Sequence, residues 1–188
     1  MPATMNRNLL FATLTAGLAL AGVIAAQTAA PRLERPLPKT IIRGNLHVDG
    51  ERTWNAQHVV IHGDLILEEG GRLEVNDSVV ELVGEAAGDR VIRWRGGALL
   101  TIDSTLGGTP GTDDAPSAPA DLLLLDGDWG TTRTTLQHIG ELRVGGAPPG
   151  GHLWGTGLTA RDQVGPVLLS GAGRIDLVDS DVRIEPAP

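Results

Sequence analysis

The sequence predicts an all-β fold made of stacked repeats. Three observations carry this. A short pattern recurs along the chain. The segments between breaks alternate apolar and polar residues with period two. And 26 Gly and 12 Pro among 188 residues favour short strands and tight turns over long helices.

The recurring pattern is G-x-[LI]-x-x-x-D-S-x-[VL]. It fits "GGRLEVNDSVVE" through Gly71, Leu73, Asp77, Ser78 and Val80, then "GGALLTIDSTLG" through Gly97, Leu99, Asp103, Ser104 and Leu106. It returns through Gly173, Ile175, Asp179, Ser180 and Val182. Between the second and third copies, "WGT" occurs at Trp129 and again at Trp154. Asp77-Ser78, Asp103-Ser104, Trp129-Gly130, Trp154-Gly155 and Asp179-Ser180 are then separated by 26, 26, 25 and 25 residues. A unit that short cannot bury an apolar face alone, so equivalent units must stack into a continuous core.

The alternation supports strands. In "HVVIHGDLILEEGGRLEVNDSVVELVG", the pairs Val59 and Ile61, Leu65 and Leu67, Leu73 and Val75, and Val80 and Leu82 point one way. Breaks fall at Gly63, at Glu69–Gly71 and at Asn76–Ser78. "GGTPGTDDAPSAPAD", Gly107 to Asp121, has no periodicity and is expected to be a loop. "GGAPPGG", Gly145 to Gly151, is a second break. With no Tyr, four Trp and one Phe, the core must be aliphatic.

The first residues have the character of a targeting signal. Arg7 precedes the uncharged "LLFATLTAGLALAGVIAA", which ends in small residues suited to a signal peptidase. We expect residues 1–30 to be a signal peptide, 31–40 a Pro-rich tether and 41–185 the repeat domain. The rival, an uncleaved anchor, is disfavoured by the many Ala, Gly and Thr residues. These features predict a secreted, periplasmic or cell-surface protein. No Cys is present, which excludes disulfides, thiolate metal sites and a lipidated cysteine. A net charge of −8 with a single Lys excludes nucleic acid and anionic membrane surfaces as natural partners.

The segments "GDLILEEGGRLEVNDSVVEL" and "RVIRWRGGALLTIDSTLGG" resemble the right-handed parallel β-helix of the pectate-lyase-like superfamily. The resemblance implies about six coils over nearly the whole exported chain. Segments such as "IIRGNLHVDG" also resemble bactofilins, β-helical filament proteins, but the leader argues against a cytoskeletal protein. Resemblance to pectate lyases implies a calcium-binding acidic cluster and a proton-abstracting base. Resemblance to polygalacturonases implies clustered Asp and an Arg-x-Lys, which this chain lacks.

The candidate sites follow from the strand reading. Asp77 and Asp103 should stack on adjacent coils, about 4.8 Å apart, as a calcium site, an acid–base pair, or simply turn-capping residues. The last is favoured. In Arg93-Trp94-Arg95 the two Arg share one face and Trp94 takes the other. Outward, Trp94 would offer a sugar-stacking plane, or the Arg pair a carboxylate site; the commoner arrangement buries the indole. Trp129 and Trp154 should be stacked neighbours, either an exposed carbohydrate platform or core filling.

Other apparent motifs fail. His58 and His62 would lie about 13 Å apart on a strand and cannot share an ion. "GTGLTA" opens no helix. The Thr run at Thr131–Thr135 occurs in one coil only, short of the array that ice binding needs. Asp113-Asp114 sits in the Pro-rich loop. The expected function is a non-catalytic structural or binding element of a bacterial cell envelope. The alternative is a carbohydrate-active module that binds, or acts as a lyase or hydrolase on, a polysaccharide. The expected partners are a polysaccharide or envelope protein and, end to end, further copies of the chain. The expected cofactor is none, or calcium.

Overall fold

A computed structural model describes residues 36–111 and 117–186. The leader, residues 31–35 of the tether, and Asp113-Asp114 lie outside the described residues. Among the described residues every regular element is a strand.

The strands come in threes. β1 (Lys39–Arg43), β2 (Leu46–Val48) and β3 (Glu51–Asn55) are followed by β4 (His58–His62), β5 (Leu65–Leu67) and β6 (Arg72–Asn76). Next come β7 (Val79–Leu82), β8 (Val91–Trp94) and β9 (Ala98–Ile102), then β10 (Thr105–Gly108), β11 (Ala120–Leu124) and β12 (Gly127–Thr132). β13 (Thr135–Val144) is long, and β14 (Gly151–Thr156) follows it. β15 (Thr159–Val164), β16 (Val167–Leu169), β17 (Arg174–Val178) and β18 (Ile184–Pro186) complete the chain.

Up to β12, each strand pairs in parallel with the strand three places before it: β1 with β4, β2 with β5, β3 with β6. β13 does the work of two strands. Its first residues pair with β10 and β15, its last with β11 and β16, and the register shifts between Gln137 and Ile139. The third series, β3-β6-β9-β12-β14-β17, is a separate six-stranded sheet. The result is an all-β body of parallel sheets, consistent with a β-solenoid. β1 begins at Lys39, inside the segment assigned from sequence to the tether.

The alternation places the aliphatic side chains inside. Val59, Ile61, Leu65, Leu67, Leu73, Val75, Val80 and Leu82 all belong to one buried cluster, the non-directional driving force of the fold. Each apolar side chain meets its register partners above and below: Leu73 lies opposite Leu99, which lies opposite Trp129.

One corner explains the repeat. After each strand of the third sheet the chain turns through a residue with positive φ: Ala56, Asp77, Asp103, Arg133, Gly157 and Asp179. Asp tolerates this left-handed conformation better than bulkier residues. At four of these corners, those of Asp77, Asp103, Arg133 and Gly157, the residue that follows is buried. Ser78 and Ser104 are buried there. The Ser104 hydroxyl accepts from the Ser78 N–H at 3.2 Å and donates to the Ile102 carbonyl at 2.7 Å. Ser78 does the same for Gln57 and Asn76 at 3.1 and 2.7 Å, and Ser180 for Leu158 and Val178, both at 3.1 Å. Each serine thus stitches one turn of the chain to the one before, satisfying groups that burial would otherwise penalise.

The corners are not evenly spaced, which corrects the equal-repeat expectation. Gln57 and Ser78 are 21 apart, Ser78 and Ser104 26, Asp103 and Arg133 30, Thr135 and Thr159 24, and Leu158 and Ser180 22. The corners equivalent to Asp77-Ser78 are therefore Arg133-Thr134 and Gly157-Leu158, not the two Trp-Gly dipeptides. The longest interval contains the Pro-rich loop. That loop is shorter than expected, because Gly107 and Gly108 belong to β10 and Ala120 and Asp121 to β11. Thr109 and Ala118 close its base in an antiparallel bridge.

Candidate functional site

The uneven spacing decides where the tryptophans go. Trp129 lies in register with Leu99 and Leu153, whereas Trp154 lies in register with Gly130 and Asp176. The two WGT copies are offset by one residue, and in a strand one residue reverses the face. Trp129 is fully buried; Trp154 is 43% exposed. They are not a stacked pair. Trp129 instead packs on Trp94, with ring centroids 5.5 Å apart.

Both inner indoles have their N–H satisfied. Trp94 Nε1 donates to the Asp128 carbonyl at 3.2 Å, and Trp129 Nε1 to Thr101 Oγ1 at 3.1 Å. Thr101 Oγ1 also lies 2.8 Å from Thr134 Oγ1. These indoles have no face to offer a ligand. On β8, Arg93 points outward opposite Ile66 and Leu123, while Arg95 follows the strand and reaches Glu68 at 3.7 Å. The arginines form no joint site with Trp94.

Asp77 and Asp103 do fall on the same corner. Arg133, the next residue in that column, grips the Asp103 carboxylate with Nε at 2.5 Å and Nη2 at 2.6 Å. This charge-assisted fork holds the Arg133 guanidinium above its usual range, with the Asp103 hydrogen bond the larger cause. A guanidinium supplies the positive charge that stacked carboxylates need. Among the described residues no group of three or more His, Asp or Glu could hold a metal ion.

The outer surface of the third sheet is the candidate site. Its outward residues form three columns. One runs Glu51, Arg72, Ala98, Asp128, His152, Arg174; the middle runs Thr53, Glu74, Leu100, Gly130, Trp154, Asp176; the third includes Ile102, Thr132, Thr156 and Val178. Trp154 does not stand away from the sheet. A Cβ placed on Gly130 would come within 2.7 Å of the indole Cζ2 and 3.0 Å of Leu100 Cδ1. The indole therefore lies over Gly130 toward Leu100, and the missing side chain makes room for it. The groove beside it measures about 390 Å³ and is lined by Arg72, Ala98, Leu99, Leu100, Asp128, Gly130 and Trp154.

No family model, curated protein or solved structure matches this chain.

Charges around the groove are paired. Arg72 bonds Glu74 at 2.8 Å. His152 lies between Asp176 at 2.8 Å and Asp128 at 3.4 Å, and Arg174 reaches Asp176 at 2.5 Å. The His152 hydrogen bond first, and then Arg174, hold the Asp176 carboxyl below its ordinary range. On the other sheet, Asp121 of β11 is pushed up by burial and then by Glu141, its register partner on β13.

Sequence reasoning named Trp154 but missed the residues that make it usable. Gly130 enters the sequence pattern only as half of a recurring dipeptide, and Leu100 carries no mark in it. A signal was present: Leu99-Leu100 and Leu123-Leu124 each put a leucine on the outward phase of a strand. The alignment of Thr105, Thr135 and Thr159 was also missed. They are in register on three successive strands, hidden by the 30- and 24-residue intervals.

Proposed function

We propose that the protein is an exported, right-handed parallel β-helix of pectate-lyase-like architecture that serves as a non-catalytic binding element of the bacterial cell envelope. The supporting observation is the third sheet's outer face. It presents an exposed indole in a shallow groove on a rigid parallel ladder. Sites on such scaffolds hold their geometry at little entropic cost. The acids beside the groove are engaged by basic partners, Asp176 by His152 and Arg174 and Asp128 by His152, an arrangement that suits a binding face.

Self-association is part of the same reading. Among the described residues, β1, β2 and β3 have a pairing partner on one side only, and unpaired strand edges invite another chain.

The test is co-sedimentation of the purified full-length protein with isolated bacterial envelopes, run beside an assay for released sugars. The reading predicts retention in the envelope pellet, reduced by Trp154→Ala, with no sugar release. Failure to sediment would remove the envelope role, and release of sugars would replace binding with a lyase or hydrolase.

A further inference from the structure

We propose that the Trp154 groove binds a neutral pyranose ring of a polysaccharide, laid flat on the indole. This rests on the binding-element reading and adds to it the ligand class and the contact.

The floor selects for a flat, partly apolar ligand. Three of the chain's four indoles, Trp54, Trp94 and Trp129, are 6% exposed or less, while Trp154 is 43% exposed. The benzo edge of its ring occupies the gap at Gly130, beside Leu100. A pyranose has one face of C–H groups and a rim of hydroxyls. Its C–H face suits an aromatic plane, which combines apolar area with a specific geometry.

The walls select for hydroxyls. Arg72 and Asp128 border the groove on one side. Beyond the groove's lining, Thr132 and Thr156 stand in the next outward column, in register with each other, within the reach of a longer saccharide. Carboxylate and hydroxyl oxygens accept, while hydroxyl and guanidinium groups donate, so a ring of sugar hydroxyls finds both kinds of partner. A few placed polar groups around an apolar floor, in a space between about 300 and 1,000 Å³, describe a small-ligand site.

Charge argues for a neutral sugar over an acidic one. Arg72 and Arg174, which flank the site, are each bonded to an acid, at 2.8 and 2.5 Å. The chain as a whole carries −8. A polyuronate would meet repulsion with little compensating cation.

The test titrates the full-length protein with cellohexaose, with oligogalacturonate and with a hydrophobic peptide, reading tryptophan fluorescence and heat. Cellohexaose should give saturable binding with a shift of the exposed indole's emission, and the other two should bind more weakly. Trp154→Ala should weaken binding by about tenfold or more. Gly130→Ala is the sharper variant. The nearest atoms to its methyl belong to the side chains of Trp154 and Leu100 and not to backbone, so the indole is lifted while the ladder beneath it stays in place. It should weaken binding several-fold with an unchanged melting temperature. Cellohexaose binding that ignores both variants, or tighter binding of the oligogalacturonate or the peptide, would overturn the proposal. No saturable cellohexaose binding in a protein that still sediments with envelopes overturns the sugar and spares the binding element. Sugar binding without sedimentation does the reverse.

Discussion

β12 and β14 carry the same three letters, Trp-Gly-Thr, on neighbouring strands of one sheet, and use them in opposite ways. In β12 the indole of Trp129 enters the core, and Gly130 faces out beneath a neighbour's ring. In β14 the indole of Trp154 faces out, and Gly155 turns inward, opposite Thr131. The cause is a single residue. Asp128 pairs with His152, 24 positions on, as Thr135 and Thr159 are 24 apart, whereas the two motifs are 25 apart. Because side chains alternate, a one-residue difference between motif spacing and coil length reverses the face. Identical motifs are therefore no guide to identical environments in a coiled ribbon; register is.

The largest contrast should appear on removing the two rings. Trp129→Ala deletes a fully buried side chain that packs on Trp94 and bonds Thr101, and should cost about 3–5 kcal/mol. Trp154→Ala should cost distinctly less, about 1–2 kcal/mol, because only part of its indole is covered, over Gly130. Urea unfolding of both variants measures the gap, and equal losses would mean that the two indoles do not occupy opposite faces.

The two glycines should separate next. Gly155 has φ +137°, and a Cβ there would meet the Thr131 backbone oxygen at 2.0 Å. The conformation alone costs a non-glycine residue roughly 1–3 kcal/mol, so Gly155→Ala should lower the melting temperature clearly. Gly130→Ala, whose nearest neighbours are side-chain ends, should not. The same scan of thermal unfolding reads both.

The corners that follow β9 and β14 differ in the same spirit. Ser104 is polar and satisfied, whereas its equivalent Leu158 is apolar and buried. Ser104→Ala strands the Ser78 N–H and should cost about 1–3 kcal/mol. Amide hydrogen exchange at Ser78 should quicken with it.

The smallest effect concerns pH. Asp176 is held below its ordinary value of 3.8 by His152 on β14 and then by Arg174. Its contribution to stability is present above the unfolded value and is lost as pH falls through the lower folded value. His152→Ala should move the Asp176 titration upward, toward but not above the ordinary value, because Arg174 remains. Carboxyl-carbon NMR titration follows it.

Much of this fold was legible in the sequence, and for a physical reason. The Asp-Ser corners recur because a left-handed turn followed by an inward hydroxyl favours those residue types. The aliphatic alternation of Val59 through Leu82 is the direct imprint of strands with one buried face. The register between Asp103 and Asp179 was not legible. The interval from Asp103 to Arg133 is long because of the Pro-rich loop, and the next two are short. Together they span what three near-equal repeats would, so the third Asp-Ser falls where an even period places it while everything between is misaligned. Arg133-Thr134 and Gly157-Leu158 carry the corner without its signature. Arg133 is tied to Asp103 by its guanidinium, and Gly157 reaches positive φ with no side chain to obstruct it. The candidate site was legible only as Trp154. Its floor depends on Gly130 lying opposite that indole, which is a statement about register and not about composition.

Register turns Trp154 outward and Trp129 inward. Fluorine NMR of 5-fluorotryptophan-labelled protein with a soluble paramagnetic agent tests it directly. One of the four indole resonances should broaden strongly, and that resonance should be the one missing in Trp154→Phe. If the broadened resonance is instead the one missing in Trp129→Phe, or if the two respond alike, the register is wrong and the site with it.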